Sequence, residues 1–497
     1  MIPRPGRLAR TLSIAAGVAA LSVYGIYLFK HTCFAVGGSD SSGYANAARD
    51  FSRGTLVTSI DGLVRFDLPG SFAPAFTPLG YVLLPSRRTM APMYPIGFPL
   101  HLGLAGALFG WDRAPYFVSP IAAVLCLILL YAVGRELGLS RWAAAGGGLL
   151  LASSPTFVFQ AVQPMSDVTA TLWTLAAILA GLKARGDRRW AAAAGFALGV
   201  AVLVRPLDIV LLLPLAFALP LDRRALVLFV LGGVPPAAFL FLYNTACFGN
   251  PFDTGYSLTG HWSRFSLAYF PSHFPNYVRW TSAVLTPFVA LGWLIAPFDR
   301  LLPRRDRALL LSWFAAFLLA YSCYQPADQW WYTRFLLPGM PAIILAFVLV
   351  ARDLAASVGG LWRQGVIAGA IVAIGVAAGF GFSNAKSWGV LDMWQGQATF
   401  RRACFWAEER LPAGALVVSS DLSGALRYYT ALQPVRWDHL NPVSFRDLRD
   451  KTAANGGKWF ALLRHYEILW ATPNVPGKWS HLGDMEDISL WALEDSP

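Results

Sequence analysis

The chain has 497 residues, of which 56% are hydrophobic and only 14% charged, and its mean hydropathy is +0.49. This composition excludes a single soluble core of ordinary make-up. The net charge of +12 does not indicate a nucleic-acid partner, because the basic residues lie mainly in short clusters between apolar runs, where they orient membrane helices. The sequence therefore predicts a polytopic membrane protein.

Apolar runs able to cross about 30 Å of hydrocarbon recur along the first three quarters of the chain. Arg4, Arg7 and Arg10 precede the first run, which resembles an uncleaved signal anchor, so the N-terminus is predicted to be cytoplasmic. Later basic clusters alternate consistently and predict eleven spans, which leave the C-terminus outside. The predicted spans are 11–29, 116–134, 142–160, 167–183, 190–204, 207–221, 225–244, 279–297, 308–324, 335–351 and 365–383.

The outer loop 30–115 contains two segments that are predicted to lie at the membrane surface as juxtamembrane helices. One is 44–51, and the other is 94–109, which prolines bound and which is short for a crossing. If 94–109 did cross, the count would be twelve and the C-terminus would be cytoplasmic. The basic clusters argue against that arrangement.

The last part of the chain, 384–497, carries frequent charges and short alternating segments. It is predicted to be a small α/β domain outside the membrane, following a transmembrane domain over 1–383. Its predicted elements are a helix at 401–411, a strand at 416–419, a helix at 425–430, and strands at 435–437, 459–463 and 488–493.

The five cysteines form no CxxC pair, and the histidines have no spacing that requires a metal.

Two aspartates have competing interpretations. Asp40, between glycines and serines after the first span, is either an N-cap for a helix beginning near Tyr44 or a general base at the membrane surface. Asp167 opens the fourth span and is either a cap or a residue that holds a cation or a sugar hydroxyl.

Two arginines lie on the predicted outer side, where the positive-inside preference gives no reason for a basic residue. Arg205 joins two apolar runs in Leu203-Val204-Arg205-Pro206, and a charge at the membrane edge is a functional hypothesis by default. The alternative is an arginine that snorkels to lipid phosphates. Arg334 begins a helix after an aromatic loop, whose Trp and Tyr residues an interfacial belt would also explain.

Together, these outer residues supply chemical groups that one type of reaction needs. A carboxylate can deprotonate a hydroxyl acceptor, arginines can bind a phosphate through paired hydrogen bonds, and aromatic rings can stack on sugar faces. The combination suits sugar transfer from a lipid phosphate.

The chain also resembles the GT-C superfamily of polytopic glycosyltransferases, in particular the bacterial relatives of protein mannosyltransferases and of aminoarabinose and lipopolysaccharide-core transferases. The likeness covers nearly the whole chain and depends on the order of short motifs. These are Gly38-Ser39-Asp40-Ser41-Ser42-Gly43-Tyr44-Ala45, Tyr94-Pro95-Ile96-Gly97-Phe98-Pro99-Leu100, Ser153-Ser154-Pro155, Ser166-Asp167, Leu203-Val204-Arg205-Pro206, Tyr243-Asn244, Phe248-Gly249-Asn250-Pro251-Phe252, Gly255-Tyr256 and Arg334-Phe335-Leu336-Leu337-Pro338.

The resemblance implies an inverting transfer from a polyprenyl-phosphate sugar donor to a lipid, glycan or protein acceptor in the plasma membrane. It implies no required cofactor and leaves a divalent cation open. Asp40 would be the base. Substrate binding would fall to Tyr44, Tyr94, Asp167, Arg205, Tyr256 and Arg334.

The chain departs from the family pattern where Ser41 follows Asp40, since many relatives carry a second acid there, and where Tyr94-Pro95-Ile96 replaces a double-proline run. An alternative function is a transporter or flippase for lipid-linked saccharides, although no internal repeat of the kind that transporters show is present. A non-catalytic scaffold is a third possibility, for which the outer arginines would serve no purpose.

Overall fold

The computed structural model describes residues 7–325 and 328–494, which are mainly helical. The α-helices, in chain order, are α1 (Arg7–Lys30), α2 (Ser39–Ser52), α3 (Asp61–Arg65), α4 (Gly97–Phe109), α5 (Val118–Glu136), α6 (Arg141–Ser153), α7 (Pro155–Ala161), α8 (Ser166–Lys183), α9 (Trp190–Val204), α10 (Leu212–Ala218), α11 (Arg223–Phe248), α12 (Gly255–Leu258), α13 (Phe270–Leu285), α14 (Pro287–Ile295), α15 (Arg304–Ser322), α16 (Met340–Ser357), α17 (Gly360–Ser387), α18 (Met393–Glu408), α19 (Ser423–Tyr429), α20 (Pro442–Ala453) and α21 (His465–Ala471).

Five helical segments of the described residues are long and apolar enough to cross a membrane, or up to seven if each of two bent pairs is one span. This agrees with a multi-pass membrane protein. The count of eleven spans stays a prediction, although a helix occupies each of the eleven predicted places. The five segments are Ser13–Lys30, Ala114–Glu136, Arg223–Phe248, Trp330–Ser357 and Gly360–Ser387.

Two spans that the sequence predicts as continuous helices, 142–160 and 279–297, are instead bent. Helices α6 and α7 meet at 69°, and the segments Leu267–Leu285 and Pro287–Phe298 meet at 115°. A proline follows each break, and the residue before a proline avoids helical backbone angles. Ser154 is accordingly extended, with ψ of 122°, and Thr286 has φ of 72° and ψ of 146°.

The chain divides into two compact units, each built from separated stretches of sequence. The helical unit comprises Met1–Thr32, Phe117–Ala237 and Arg264–Asp392. The mixed unit comprises Cys33–Tyr116, Ala238–Ser263 and Met393–Pro497. The boundary predicted at residue 384 lies inside α17, and the mixed unit includes the outer loop together with the C-terminal segment.

Close backbone contact joins α9 and α11 within the helical unit. A Cβ atom on Gly195 would lie 1.9 Å from the carbonyl oxygen of Phe229, and one on Gly232 would lie 1.9 Å from that of Ala192. Small residues permit this approach between apolar helices.

Two sheets lie in the mixed unit. Their strands are β1 (Thr58–Ser59), β2 (Tyr81–Leu83), β3 (Thr89–Pro92), β4 (Leu416–Val418), β5 (Gln433–Val435), β6 (Trp459–Arg464), β7 (Trp479–Met485) and β8 (Ile488–Leu493). The first sheet has three antiparallel strands in the order β1-β3-β2, and the second has five strands in the order β5-β4-β6-β8-β7. Strand β4 runs parallel to β5 and β6, whereas β8 is antiparallel to β6 and β7.

The predicted α/β character of the C-terminal segment is confirmed. Strand β8 has the predicted bounds, and the strand predicted at 435–437 instead spans 433–435. The sequence interpretation missed β7, whose pairing shifts register between His481 and Gly483, and also missed α20 and α21.

Candidate active site

Asp40 lies in the first turn of α2, and the helix begins earlier than the sequence predicts. It begins at Ser39, after an extended Gly38, rather than near Tyr44, and no side chain caps it. The Ser42 hydroxyl donates to the Gly38 carbonyl at 2.9 Å. The N-cap interpretation of Asp40 is therefore wrong, although a carboxylate in a first turn still benefits from the helix dipole.

Tyr94 orients the Asp40 carboxylate. Its phenol donates a hydrogen bond of 2.8 Å to Asp40 Oδ1, and the Ser39 hydroxyl lies 2.8 Å from the same phenol oxygen. Because a phenol has one proton, Ser39 must donate to Tyr94 when Tyr94 donates to Asp40. Burial, together with the negative charge of Asp40, raises the pKa of the Tyr94 phenol well above its usual value. Tyr94 therefore remains a hydrogen-bond donor at neutral pH.

Two glycines bring Tyr94 close to α2. A Cβ atom on Gly43 would lie 2.5 Å from a Tyr94 ring carbon and 2.9 Å from the Cα atom of Gly80. Gly80 has φ of 91°, a conformation that favours glycine. The tyrosine ring consequently lies directly against the helix backbone.

Aromatic rings surround Tyr94. The ring centroid of Tyr44 lies 4.9 Å from that of Tyr94 and 5.1 Å from that of Phe98. Tyr256 meets Tyr94 edge-on at 6.3 Å and stacks on His261 at 4.8 Å. Such rings provide faces on which a sugar can stack.

A second charged group lies in the helical unit, where Asp167 pairs with Arg205. The Asp167 Oδ1 atom is 3.0 Å from an Arg205 terminal nitrogen, and the two side chains are only 1% and 12% exposed. Met165 is the N-cap residue of α8, and no side chain caps that helix, so the cap interpretation of Asp167 is wrong as well. The ion pair also replaces the snorkelling interpretation of Arg205. Asp208 is buried and lies near enough to interact electrostatically with both partners.

Arg334 and Arg205 both lie against the aromatic ring of Phe335. Arg205 donates to the Arg334 carbonyl at 3.4 Å, and the two guanidinium carbons lie 5.2 Å and 5.0 Å from the centre of the Phe335 ring. A 3-10 helix, Trp330–Gly339, holds Arg334 and Phe335 in this position. Cation-π contacts of this kind stabilise guanidinium groups at a fixed orientation.

The predicted site residues thus form one group in each unit. In the mixed unit the structure brings together Asp40, Tyr44, Tyr94 and Tyr256, and in the helical unit it brings together Asp167, Arg205 and Arg334. Their roles stay predictions.

Sequence reasoning missed Ser39 and Asp208. A signal for Asp208 was present, since an ionisable residue three positions after Arg205 interrupts an apolar run. Ser39 carried no such signal, because its role depends on where α2 begins.

Within the described residues, no group of three His, Cys, Asp or Glu side chains could hold a metal ion.

Residues 94–243 match the family described as dolichyl-phosphate-mannose-protein mannosyltransferase. No curated protein sequence matches the chain.

Solved structures resemble the chain over nearly its whole length. The ArnT of Cupriavidus metallidurans bound to undecaprenyl phosphate has a TM-score of 0.62 at 15% identity, covering 96% of this chain and 97% of that one. Its apo state has a TM-score of 0.63 at 15% identity, covering 97% and 98%. The archaeal oligosaccharyltransferase AglB of Archaeoglobus fulgidus, in complex with an inhibitory peptide and a dolichol-phosphate, has a TM-score of 0.51 at 14% identity, covering 97% and 75%. The chain therefore has the fold of the GT-C superfamily of membrane glycosyltransferases.

Proposed function

We propose that the chain is a glycosyltransferase that moves a sugar from a polyprenyl-phosphate donor to a lipid, glycan or protein acceptor. The observation that carries the proposal is the Asp40 carboxylate, which accepts a hydrogen bond from Tyr94 in a chain of GT-C fold. The neighbours of this fold were solved with undecaprenyl phosphate and with dolichol-phosphate, which supports a lipid-linked donor.

In the proposed reaction, Asp40 acts as general base. The acceptor hydroxyl gives its proton to Asp40 while its oxygen attacks the anomeric carbon of the donor. The bond from that carbon to the phosphate oxygen breaks, and polyprenyl phosphate departs with the electron pair. Because attack and departure occur on opposite faces of the sugar, the configuration inverts. The phosphate is a good leaving group, so no general acid is needed.

Arg205 and Arg334 are the residues proposed to hold the departing phosphate, and Asp167 to orient a substrate. Arg205 already forms an ion pair with Asp167 at 3.0 Å, so a phosphate group would have to share the Arg205 guanidinium with this carboxylate. Tyr44, Tyr94 and Tyr256 are proposed to contact the sugar, with Tyr94 also fixing Asp40. The membrane orientation in this proposal has the N-terminus in the cytoplasm and Asp40 on the outer face of the plasma membrane.

The proposal is tested with purified full-length protein in liposomes, a panel of radiolabelled polyprenyl-phosphate hexoses and pentoses, and a membrane extract as acceptor. Asp40→Asn should reduce transfer by roughly 10²- to 10⁴-fold. Asp67→Asn is the matched control, because Asp67 is an exposed aspartate of the mixed unit whose φ of 46° asparagine also tolerates.

Undiminished transfer by Asp40→Asn would refute the base assignment. Absence of transfer with every donor, together with movement of the labelled lipid between leaflets, would instead favour the transporter alternative.

A further inference from the structure

A cavity of about 360 Å³ lies in the mixed unit between α2, α3 and the segment after α19. Nine of its fifteen lining residues carry polar side chains. Its most notable feature is charge, since four of the lining residues are arginines and two are aspartates. These six residues are Arg49, Arg53, Arg65, Arg427, Asp50 and Asp61.

The two carboxylates do not neutralise the four guanidinium groups, so the cavity has an excess of two positive charges at neutral pH. Asp50 lies 3.8 Å from Arg427 and also accepts a hydrogen bond from Tyr81. Arg53 forms no ion pair with any carboxylate in the described part of the chain. An arginine cluster whose positive charge is not balanced by acidic side chains attracts an anionic group.

Neighbouring groups hold three of the arginines in place. Arg49 donates to the Tyr428 carbonyl at 2.5 Å and lies 3.6 Å above the ring of the same residue. Arg65 donates to the Gly414 carbonyl at 2.6 Å. Arg427 lies 4.7 Å from the centre of the Tyr81 ring. A guanidinium has five N–H donors, so each of these arginines keeps donors for a ligand.

The volume indicates what could occupy the cavity. It equals that of roughly a dozen water molecules, which is more than a phosphate group alone would fill. Arginine binds phosphate oxygens through paired hydrogen bonds, and the remaining polar lining residues, such as Asn46, Thr430 and Gln433, suit sugar hydroxyls. We propose that this arginine cavity binds the phosphate group of a phosphorylated saccharide.

The arginine cavity is distinct from the Asp40 group. Arg49 follows Asp40 by nine residues on α2, which is about 13 Å along the axis and, at about 100° per residue, half a turn away on the opposite face. Arg49 and Arg53 lie at the C-terminal end of α2, whereas Asp40 lies in its first turn. Binding in the cavity therefore does not depend on the function proposed for Asp40.

The test is isothermal titration calorimetry on the purified full-length protein with glucose 6-phosphate, glucose and inorganic phosphate. Glucose 6-phosphate should bind, and glucose should not. Arg53→Ala and Arg65→Ala should each weaken the affinity roughly tenfold or more. Both arginines are exposed, so the variants should fold, which thermal unfolding checks.

Arg446→Ala is the matched control, because Arg446 is an exposed arginine of the same unit outside the cavity. Asp40→Asn should retain wild-type affinity. Equal affinity in Arg53→Ala and Arg446→Ala, or no binding of glucose 6-phosphate, would overturn the proposal.

A phospholipid headgroup offers the same phosphate chemistry, so a second arm separates the two sources. The titration is repeated in nanodiscs of phosphatidylcholine and of phosphatidylglycerol. Equal affinity for glucose 6-phosphate in both supports a saccharide ligand. Competitive loss of binding in phosphatidylglycerol would identify a lipid site and overturn the assignment.

Discussion

The Tyr94 phenol donates to Asp40 Oδ1 at 2.8 Å, and the partners are separated by 54 residues of sequence. This hydrogen bond favours the charged form of the carboxylate and fixes its direction. If Asp40 is the base, Tyr94 is a positioning residue, and the basicity of the Asp40 carboxylate depends on it.

Tyr94→Phe should move the acid limb of the transfer rate to higher pH. The variant loses a hydrogen bond to the charged carboxylate, so protonation of Asp40 becomes easier and the base is lost at a higher pH. Transfer at neutral pH should fall roughly tenfold. Because the pKa of Tyr94 is raised by burial and by Asp40, the phenol itself does not titrate in the neutral range. The measurement is a pH profile of kcat/KM.

Tyr466→Phe is the control for this prediction. It removes another phenol that donates to an aspartate of the mixed unit, Asp421, at 2.6 Å. An acid limb that stays in place in Tyr94→Phe would show that Tyr94 does not act through Asp40.

Gly43→Ala should destabilise the mixed unit by about 1–3 kcal/mol, because the new methyl group would overlap the Tyr94 ring and approach the Gly80 backbone. Transfer should fall as Tyr94 is displaced. Gly396→Ala in α18 is the control, since a Cβ atom there meets nothing within 4 Å. Its alanine should leave stability unchanged or raise it by up to about 1 kcal/mol. Chemical denaturation followed by tryptophan fluorescence measures both.

The sequence was sufficient to identify the membrane class, the location of most helices and most residues of the two site groups. A helix must be apolar to cross the hydrocarbon core of the bilayer. The positions of the apolar runs can therefore be predicted from hydropathy alone. Asp40, Arg205 and Arg334 could be identified because a charged side chain at the membrane edge is, by default, a candidate functional residue.

The contacts between these residues could not be predicted from the sequence. Nothing in the sequence indicates that Tyr94 donates to Asp40, or that Asp167 pairs with Arg205, because tertiary packing brings these residues together. The start of α2 was misplaced for a local reason. Aspartate and serine are favoured N-caps, yet Gly38 takes the cap position and the helix includes the acidic and serine residues.

Arg205→Gln should destabilise the helical unit by about 3–5 kcal/mol, because it leaves the Asp167 carboxylate buried without its ion-pair partner. The double variant Arg205→Gln/Asp167→Asn should lose less than the sum of the single variants. Arg188→Gln is the control. It breaks a pair with Asp222 whose side chains are 48% and 40% exposed, and such pairs contribute about 0–1 kcal/mol. Additive losses in the double variant would contradict a direct coupling of Arg205 to Asp167.

Glu467 should make the folding stability of the mixed unit depend on pH. The carboxyl is buried, and its oxygens accept from the Asp421 amide at 3.1 Å, the Trp437 indole at 3.0 Å and the Arg464 amide at 3.1 Å. Burial nevertheless raises the pKa of Glu467 above its usual 4.5. The folded state therefore binds this proton more tightly than the unfolded state. The stability contributed by that proton is present below pH 4.5 and is lost as pH rises through the folded pKa.

Glu467→Gln removes the titrating group, so the difference in Tm between wild type and variant should favour the wild type more at pH 4 than at pH 7. The glutamine oxygen can still accept from Trp437 and Asp421, but its NH₂ group faces the Arg464 amide, which lowers stability at both pH values. Glu409→Gln removes an exposed carboxyl of the same unit and serves as the control. A difference in Tm that is larger at pH 7 would mean that the hydrogen bonds to the charged carboxylate outweigh the cost of its burial.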